Sequence, residues 1–237
     1  MPSILITGAN RGLGLEFARQ YAADGWEVIA CCRTPESADE LNALASENST
    51  VSVEKLDVGD FAAIEALAEK YTGKPIDILL NNAGIIGPIP IADHITKQHF
   101  GSMDYDVFGD VVRTNTYAPI KMAEAFIENI AASEQKKIIN ISSSVGSIGE
   151  MSVPAVAYAS SKSALNRAMT IIAGMVEDRG VIIGLFCPGY VKTRMDTYGY
   201  ATVEIEESIS LLRPMFDALT IEDTGCYRGH DGRVIPW

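Results

Sequence analysis

The sequence predicts an α/β fold: a doubly wound, mostly parallel sheet flanked by helices on both faces. Short β-branched runs alternate with longer helical patterns along all 237 residues. Several of the runs are apolar on both faces, which is typical of parallel strands that are covered on either side. Because this alternation implies right-handed crossovers between strands, it favours an open doubly wound sheet.

Six strands are predicted from the β-branched and apolar runs. They cover residues 4–7, 27–32, 51–56, 76–81, 137–142 and 181–187. The last five residues read RVIPW and are a candidate edge strand, although Pro236 cannot donate a ladder hydrogen bond.

Five helical segments lie between or after these strands, each with apolar residues at three- and four-residue spacing. They cover residues 13–24, 35–47, 60–71, 105–132 and 158–178. We find no proline- or serine-rich linker and no repeat that would divide the chain. The expectation is therefore a single domain over residues 1–237.

Charge and composition restrict the partners of the chain. A formal charge of −12 argues against nucleic acid or an anionic membrane as a general partner. The sequence has no 18-residue apolar run and no signal peptide pattern, so we expect a cytoplasmic protein. The four cysteines lack metal-ligand spacing, and no metal site is expected from them or from His94, His99 or His230.

A glycine-rich turn joins the first predicted strand to the first predicted helix. It reads TGANRGLG over residues 7–14 and has the spacing G-x-x-x-G-x-G. Such a turn lets backbone N–H groups approach a diphosphate, and the helix N-terminus adds a favourable dipole. The turn therefore indicates dinucleotide binding, although a flexible turn with a tight helix–strand contact would read the same way.

Five further stretches follow in a fixed order. They are LDV, NNAG, NTYAP, NISSS with YASSK, and PGYVKT. Together with TGANRGLG, this series resembles the short-chain dehydrogenase/reductase family over almost the whole chain. The ending GHDGRVIPW, with NISSSVGSIG, is similar to the compact carbonyl-reductase branch that includes C-factor-like and sniffer-like proteins. The resemblance implies a Rossmann-type fold and a nicotinamide-dependent oxidoreductase that acts on a carbonyl or an alcohol.

The resemblance implies four catalytic residues: Asn115, Ser143, Tyr158 and Lys162. Tyr158 and Lys162 are four apart on a predicted helix, so their side chains share a face. A nearby ammonium and the positive ring of the nicotinamide would lower the pKa of the phenol. Tyr158 would then donate a proton to a ketone or accept one from an alcohol.

The other two residues carry alternatives. By resemblance, Ser143 hydrogen-bonds the substrate oxygen as charge develops on it. Its separation from Tyr158 is longer than family members commonly show, which we attribute to a longer loop through residues 150–154, and Ser144 remains the alternative. Asn115 would hold a water that connects Lys162 to solvent, or its amide would bridge two helix turns.

Cofactor contacts are also carried over from the matching motifs. They are Gly8, Asn10, Arg11, Gly12, Leu13 and Gly14 in the glycine loop, Asp57 and Val58 beside the adenine, Asn82, Ala83 and Gly84 after the fourth strand, Tyr158 and Lys162, and Pro188, Gly189, Val191 and Thr193 in the loop over the nicotinamide.

The end of the second strand predicts which dinucleotide is bound. NAD-binding proteins place an acidic residue there, whereas this chain has Cys32 followed by Arg33. A guanidinium suits a 2′-phosphate, and Arg11 in the glycine loop could supply a second positive charge. The alternative is that both arginines are solvated surface residues. NADP(H) is therefore expected in preference to NAD.

Substrate and assembly are predicted from two segments. Tyr190, Met195, Tyr198 and Tyr200 follow the PG loop and predict a small carbonyl or alcohol substrate of apolar or aromatic character. The helix at 158–178 has apolar residues around much of its circumference, which predicts a homodimer, or a tetramer. The alternative is that segment 105–132 of the same chain covers it.

A second class of function uses the same fold. A nucleotide-binding regulatory protein with little turnover would need the glycine loop but not the predicted proton relay. The full set of four catalytic residues argues against that alternative.

Overall fold

The computed structural model describes residues 1–150, 153–196 and 198–237. The strands in these residues are β1 Ser3–Thr7, β2 Glu27–Cys32, β3 Val51–Lys55, β4 Ile78–Asn81, β5 Lys137–Ile141, β6 Ile182–Cys187 and β7 Cys226–Gly229. They form one sheet in the order β3-β2-β1-β4-β5-β6-β7, and every neighbouring pair is parallel. The predicted doubly wound α/β fold is confirmed.

Helices cover both faces of this sheet. Those in the described residues are α1 Gly12–Ala23, α2 Asp39–Glu47, α3 Phe61–Lys70, α4 Ile91–His94, α5 Tyr105–Val112, α6 Ala118–Ala131, α7 Val156–Met175 and α8 Ile205–Ala218. Successive strand residues point to opposite faces, so Leu5 packs towards α3, α6 and α7 while Ile4 and Ile6 pack towards α1, α2 and α8. This double burial explains why the strands are apolar on both faces.

Several parts of the structure differ from the sequence-based expectation, and the predicted helix at 35–47, for example, is a 3₁₀ turn, Pro35–Ser37, followed by α2. The predicted helix at 105–132 is interrupted by a wider π-helical turn, Arg113–Tyr117, because Pro119 has no N–H to bond the carbonyl of Asn115. The terminal RVIPW forms only an isolated antiparallel bridge, between Val234 and Arg228. The edge strand is β7 instead, which we did not predict.

Helix α7 is covered only in part by its own chain. Leu165, Met169 and Ala173 are buried against the sheet and α6, as the alternative to a dimer would require. Ile171 and Met175, however, are 49% and 73% exposed. An apolar strip therefore remains on the outer side of α7.

The predicted site residues collect at the carboxyl edge of the sheet. Strand β1 pairs with β2 on one side and with β4 on the other, so the strand order reverses between β1 and β4. In open α/β sheets such a reversal leaves a crevice beyond the carboxyl ends of the strands, where ligands bind. Within the described residues, no helix is long and apolar enough to cross a membrane.

Candidate active site

The turn after β1 lies in close contact with the turn after β4. A Cβ on Gly14 would lie 2.3 Å from the carbonyl oxygen of Gly8 and 2.5 Å from Nδ2 of Asn82. A Cβ on Gly8 would lie 3.0 Å from Cα of Ala83. Both glycines are therefore required by close approach, which is the tight contact foreseen as the alternative reading of the glycine turn.

The side chain of Asn82 forms hydrogen bonds between these two turns. Its Nδ2 donates to the carbonyls of Thr7 (2.9 Å) and Gly8 (3.2 Å). The hydroxyl of Thr7 accepts in return from the backbone N–H groups of Asn82 and Ala83, both at 3.0 Å. The side chain of Asn82 thus braces the loop, and its contact with a cofactor stays a prediction.

The N-terminus of α1 fits a diphosphate. Arg11 precedes the helix in extended conformation and its side chain makes no cap bond, and the first turn, which the structure describes in full, carries no carboxylate. By contrast, the side chains of Asp60 and Asp104 cap α3 and α5. The first N–H groups of α1 are therefore available to an anion, as the family resemblance requires.

Three arginines gather beside this helix terminus. The pKa of Arg11 is lowered by burial and by the nearby charges of Arg194 and Arg33. Within the described residues, none of the three forms an ion pair. A cationic cluster without carboxylates, in a chain of formal charge −12, suits a phosphate. We did not predict Arg194, whose position in sequence gives no signal beyond following Thr193.

The predicted adenine-side residues lie at the carboxyl end of β3. Asp57 is exposed, and its Oδ1 accepts a hydrogen bond from the N–H of Gly59 (2.9 Å). Val58 is buried in the core on the α3 side. Leu56, just before them, donates its N–H to the carbonyl of Cys32, which places this segment beside Arg33.

The lysine and tyrosine of α7 are brought together as predicted, but with a different electrostatic balance. Nζ of Lys162 lies 5.9 Å from the ring centroid of Tyr158 and donates to the carbonyl of Ile141 (2.8 Å). Burial lowers the pKa of Lys162 to about 8. Burial raises the pKa of Tyr158 to about 12, and a hydrogen bond with Ser143 only partly opposes it. In the chain without a cofactor, burial therefore dominates the pKa of the phenol, and the expectation that Lys162 and the nicotinamide ring together lower it stays a prediction.

Ser143 is favoured over Ser144 by its contacts. Its side chain hydrogen-bonds Tyr158, and its carbonyl accepts from the hydroxyl of Tyr227 on β7. Ser144 instead begins a 3₁₀ turn, Ser144–Gly146. The loop over residues 150–154 includes Met151 and Ser152, which lie outside the described residues.

Asn115 lies in the π-helical turn and is fully buried. Its Oδ1 accepts from the N–H of Ile85 (2.8 Å), while Nδ2 donates to the Ile85 carbonyl (2.7 Å) and to Oγ of Ser161 (3.0 Å). A Cβ on Gly84 would lie 3.3 Å from Oδ1 of Asn115 and 3.7 Å from Nζ of Lys162. Gly84 is therefore where these two side chains converge, and the water between them stays a prediction.

The segment after β6 extends towards the glycine loop. Gly189 packs against the ring of His230, and Val191 forms an isolated bridge with Val203. Cγ2 of Thr193 is the nearest atom, at 3.9 Å, to a Cβ built on Gly12. The segment thus spans the crevice from β6 to α1, as expected of a loop that closes over the cofactor.

The aromatic residues predicted to face the substrate follow this segment. The hydroxyl of Tyr190 donates to Asp196 (2.9 Å), and the exposed rings of Tyr198 and Tyr200 stack at 6.1 Å. Thr197, between Asp196 and Tyr198, lies outside the described residues.

Comparisons with known proteins agree with this geometry. A family model described as short chain dehydrogenase matches residues 2–203. An oxidoreductase of Schizosaccharomyces pombe is 31% identical over 253 residues, covering 98% of this chain and 96% of its own length. The NADPH-bound carbonyl reductase from chicken fatty liver superposes with a TM-score of 0.90 at 31% identity, covering 100% of this chain and 99% of that one. The carbonyl reductase Sniffer of Drosophila melanogaster gives 0.88 at 28% identity, with 100% of both chains covered.

Substituting Gly14 tests the contact between the two turns. In Gly14→Ala, the new methyl group would displace Gly8 or Asn82, so we expect unfolding free energy to fall by about 1–3 kcal/mol. We also expect NADPH to bind on the order of tenfold more weakly, because the loop that offers its N–H groups must shift. Denaturant unfolding and fluorescence titration measure the two effects.

Gly109→Ala is the matched control. Gly109 is exposed on α5, and a Cβ built on it has no neighbour within 4 Å. This variant should gain up to about 1 kcal/mol from helix propensity and bind NADPH normally. If Gly14→Ala behaves like Gly109→Ala, the contact does not constrain the loop.

Proposed function

Because the chain belongs to the short-chain dehydrogenase family, we propose that it is an NADP(H)-dependent oxidoreductase that interconverts a carbonyl compound and a secondary alcohol. One observation carries the proposal: Ser143, Tyr158 and Lys162 come together at the carboxyl edge of the sheet, beside the glycine loop. A phenol hydrogen-bonded to a serine and close to a buried ammonium suits proton transfer to a bound carbonyl.

A nicotinamide held beside the glycine loop would supply the hydride for the carbonyl carbon. The hydroxyl of Ser143 donates a hydrogen bond to the carbonyl oxygen as negative charge develops there. Tyr158 gives its phenolic proton to the same oxygen, which completes the alcohol. The phenol is protonated near neutral pH in the cofactor-free chain, where burial raises its pKa to about 12, and the positive ring of an oxidised nicotinamide would lower that pKa and ease the transfer.

Lys162 and Asn115 support this proton transfer. The lowered pKa of Lys162, about 8, reflects a buried ammonium that proton exchange with a neighbour can readily discharge. Asn115 and Lys162 both approach Gly84, on the cofactor side of α7. A water between them would return a proton to Tyr158 after each turnover.

The proposed cofactor preference rests on the arginine cluster. Arg33 follows the buried Cys32 at the end of β2, where a carboxylate would repel a 2′-phosphate. Arg11 adds a second positive charge to the same region. The chicken carbonyl reductase, which is similar over the whole chain, was solved with NADPH bound.

The proposed substrate is a small apolar or aromatic carbonyl compound or alcohol. Tyr190, Met195, Tyr198 and Tyr200 present large apolar surfaces to solvent next to the PG loop. A substrate that covers them would remove apolar area from water at about 25 cal/mol per Å². A cytoplasmic location, which we also propose, suits the four free cysteine thiols of the chain.

Substituting Tyr158 tests the proton donor. Tyr158→Phe keeps the ring and removes the hydroxyl, so we expect kcat to fall on the order of 10²-fold or more. Turnover is measured with the carbonyl compound that the wild type reduces fastest, and NADPH affinity should be unchanged. A variant with near-normal kcat would remove Tyr158 from the reaction.

Reversing the charge at Arg33 tests the cofactor preference. We expect Arg33→Asp to weaken NADPH binding on the order of tenfold to hundredfold, because it replaces a charge-assisted hydrogen bond with repulsion. NADH affinity should stay the same or rise. The control is Lys74→Asp, an exposed cation at the opposite edge of the sheet, which should change neither affinity. A wild type that already prefers NADH contradicts the proposal.

The exposed strip of α7 supports the proposed homodimer, or a tetramer built from it. Light scattering at micromolar concentration should give at least twice the 25.5 kDa of one chain. A charge at Ile171 or Met175, as in Ile171→Glu or Met175→Glu, should shift the mass towards one chain. Leu211→Glu, on the exposed side of α8, is the control and should leave the mass unchanged. A wild type with the mass of one chain refutes the dimer.

A further inference from the structure

Gln98 ends a short 3₁₀ turn, Ile95–Gln98, between α4 and α5, yet it is fully buried, at 0% exposure. Its Oε1 accepts a hydrogen bond from the backbone N–H of Tyr158 at 3.0 Å. Its Nε2 donates to the carbonyl of Ile86 at 2.5 Å. One partner is a donor and the other an acceptor, so the amide has a single satisfactory orientation.

The first of these bonds supplies what the start of α7 lacks. The first N–H groups of a helix have no partner within it, and a polar side chain just before the helix commonly accepts from the third residue. Ala155 occupies that place before α7 and has no polar side-chain atom. Gln98 accepts from the third residue instead, 60 positions away in sequence.

The carbonyl of Tyr158 is linked to a second buried amide through a hydroxyl. It accepts from Oγ of Ser161 (2.7 Å), and that hydroxyl accepts from Nδ2 of Asn115 (3.0 Å). The Asn115 amide is bonded in turn to both backbone groups of Ile85. The N–H of Tyr158 is thus linked to Ile86 through the Gln98 amide, and its carbonyl is linked to Ile85 through Ser161 and Asn115.

Those two residues directly follow the turn that braces the glycine loop. Asn82 and Ala83 bond Thr7 and Gly8, so the position of Ile86 is coupled to that of the cofactor cradle. A phenol on α7 must lie at a fixed distance from whatever that cradle holds, because a displacement of about 1 Å can cost on the order of 10²-fold in rate.

We propose that Gln98 is a positioning residue, which sets the proposed proton donor Tyr158 in register with the cofactor cradle by joining the start of α7 to Ile86. The inference rests on the proposed function for its effect on turnover. The two hydrogen bonds of Gln98, to Tyr158 and to Ile86, form a clamp that does not depend on turnover. The clamp and its effect on turnover are therefore tested separately.

The variant is Gln98→Leu, which keeps the approximate volume and removes both hydrogen bonds. We expect kcat to fall on the order of tenfold to hundredfold, with NADPH affinity changed less than about twofold, because the cradle stays intact. In a Tyr158→Phe background, the same substitution should cause no further fall in residual turnover. A merely structural loss would lower both backgrounds equally.

Asn129→Leu is the matched control. Asn129 is also a buried bridging amide, 7% exposed, and its Nδ2 donates to the carbonyls of Tyr71 (2.6 Å) and Lys74 (2.8 Å) at the opposite edge of the sheet. It should lose a comparable amount of unfolding free energy and keep its kcat. Should Gln98→Leu fail to fold, Gln98→Met removes the same two hydrogen bonds with an unbranched side chain of similar length, and the same fall in kcat is expected.

Hydrogen exchange of the first turn of α7 tests the clamp without any substrate. The amide of Tyr158 should exchange on the order of tenfold or more faster in Gln98→Leu and at the wild-type rate in Asn129→Leu. Unchanged exchange, or a kcat no lower than that of the Asn129 control, overturns the positioning role. If exchange speeds up as expected but the wild type turns over no carbonyl, the proposed function fails and the clamp stands.

Discussion

The contact between the turns after β1 and β4 is the constraint on which the site depends. Gly14 has no room for a side chain between the Gly8 carbonyl and Asn82, and the hydroxyl of Thr7 bonds both N–H groups of the second turn. The parallel sheet brings these turns to one edge, where the strand order reverses between β1 and β4 and where ligands bind in open α/β sheets. This contact positions the glycine loop, which is proposed to hold an anionic cofactor. It also positions the segment after β4, to which the α7 residues are linked.

The charge at the start of α1 is opposite in sign to the net charge of the chain. The chain carries a formal charge of −12, yet three arginines without carboxylate partners in the described residues gather at the start of α1. A buried phenol and a buried ammonium lie further along the crevice, where burial favours the neutral form of each. Cationic groups thus lie at one end of the predicted site and buried proton-bearing groups at the other, which suits the proposed NADPH-dependent reduction.

Sequence patterns predicted the parts of the fold that impose a regular run or spacing of residue types. The strands alternate between two buried faces, and the glycine spacing is imposed by the contact at Gly14, so both leave a readable pattern. Gln98, Tyr227 and Arg194 leave none, because their partners lie far away in the chain. Strand β7 is only four residues long, and its register against β6 comes from tertiary pairing. The pKa of Tyr158 could not be predicted because it depends on burial, which spacing on a helix does not reveal.

The most direct test of the central claim mixes the wild-type chain with NADPH and a panel of aromatic, alicyclic and aliphatic carbonyl compounds. Loss of reduced-nicotinamide absorbance is followed, and the alcohol formed is quantified. The account predicts carbonyl-dependent oxidation of NADPH with one alcohol per cofactor consumed, fastest with an apolar or aromatic carbonyl compound. Tight binding of NADPH without turnover of any carbonyl in the panel would contradict it and favour a nucleotide-binding regulatory protein.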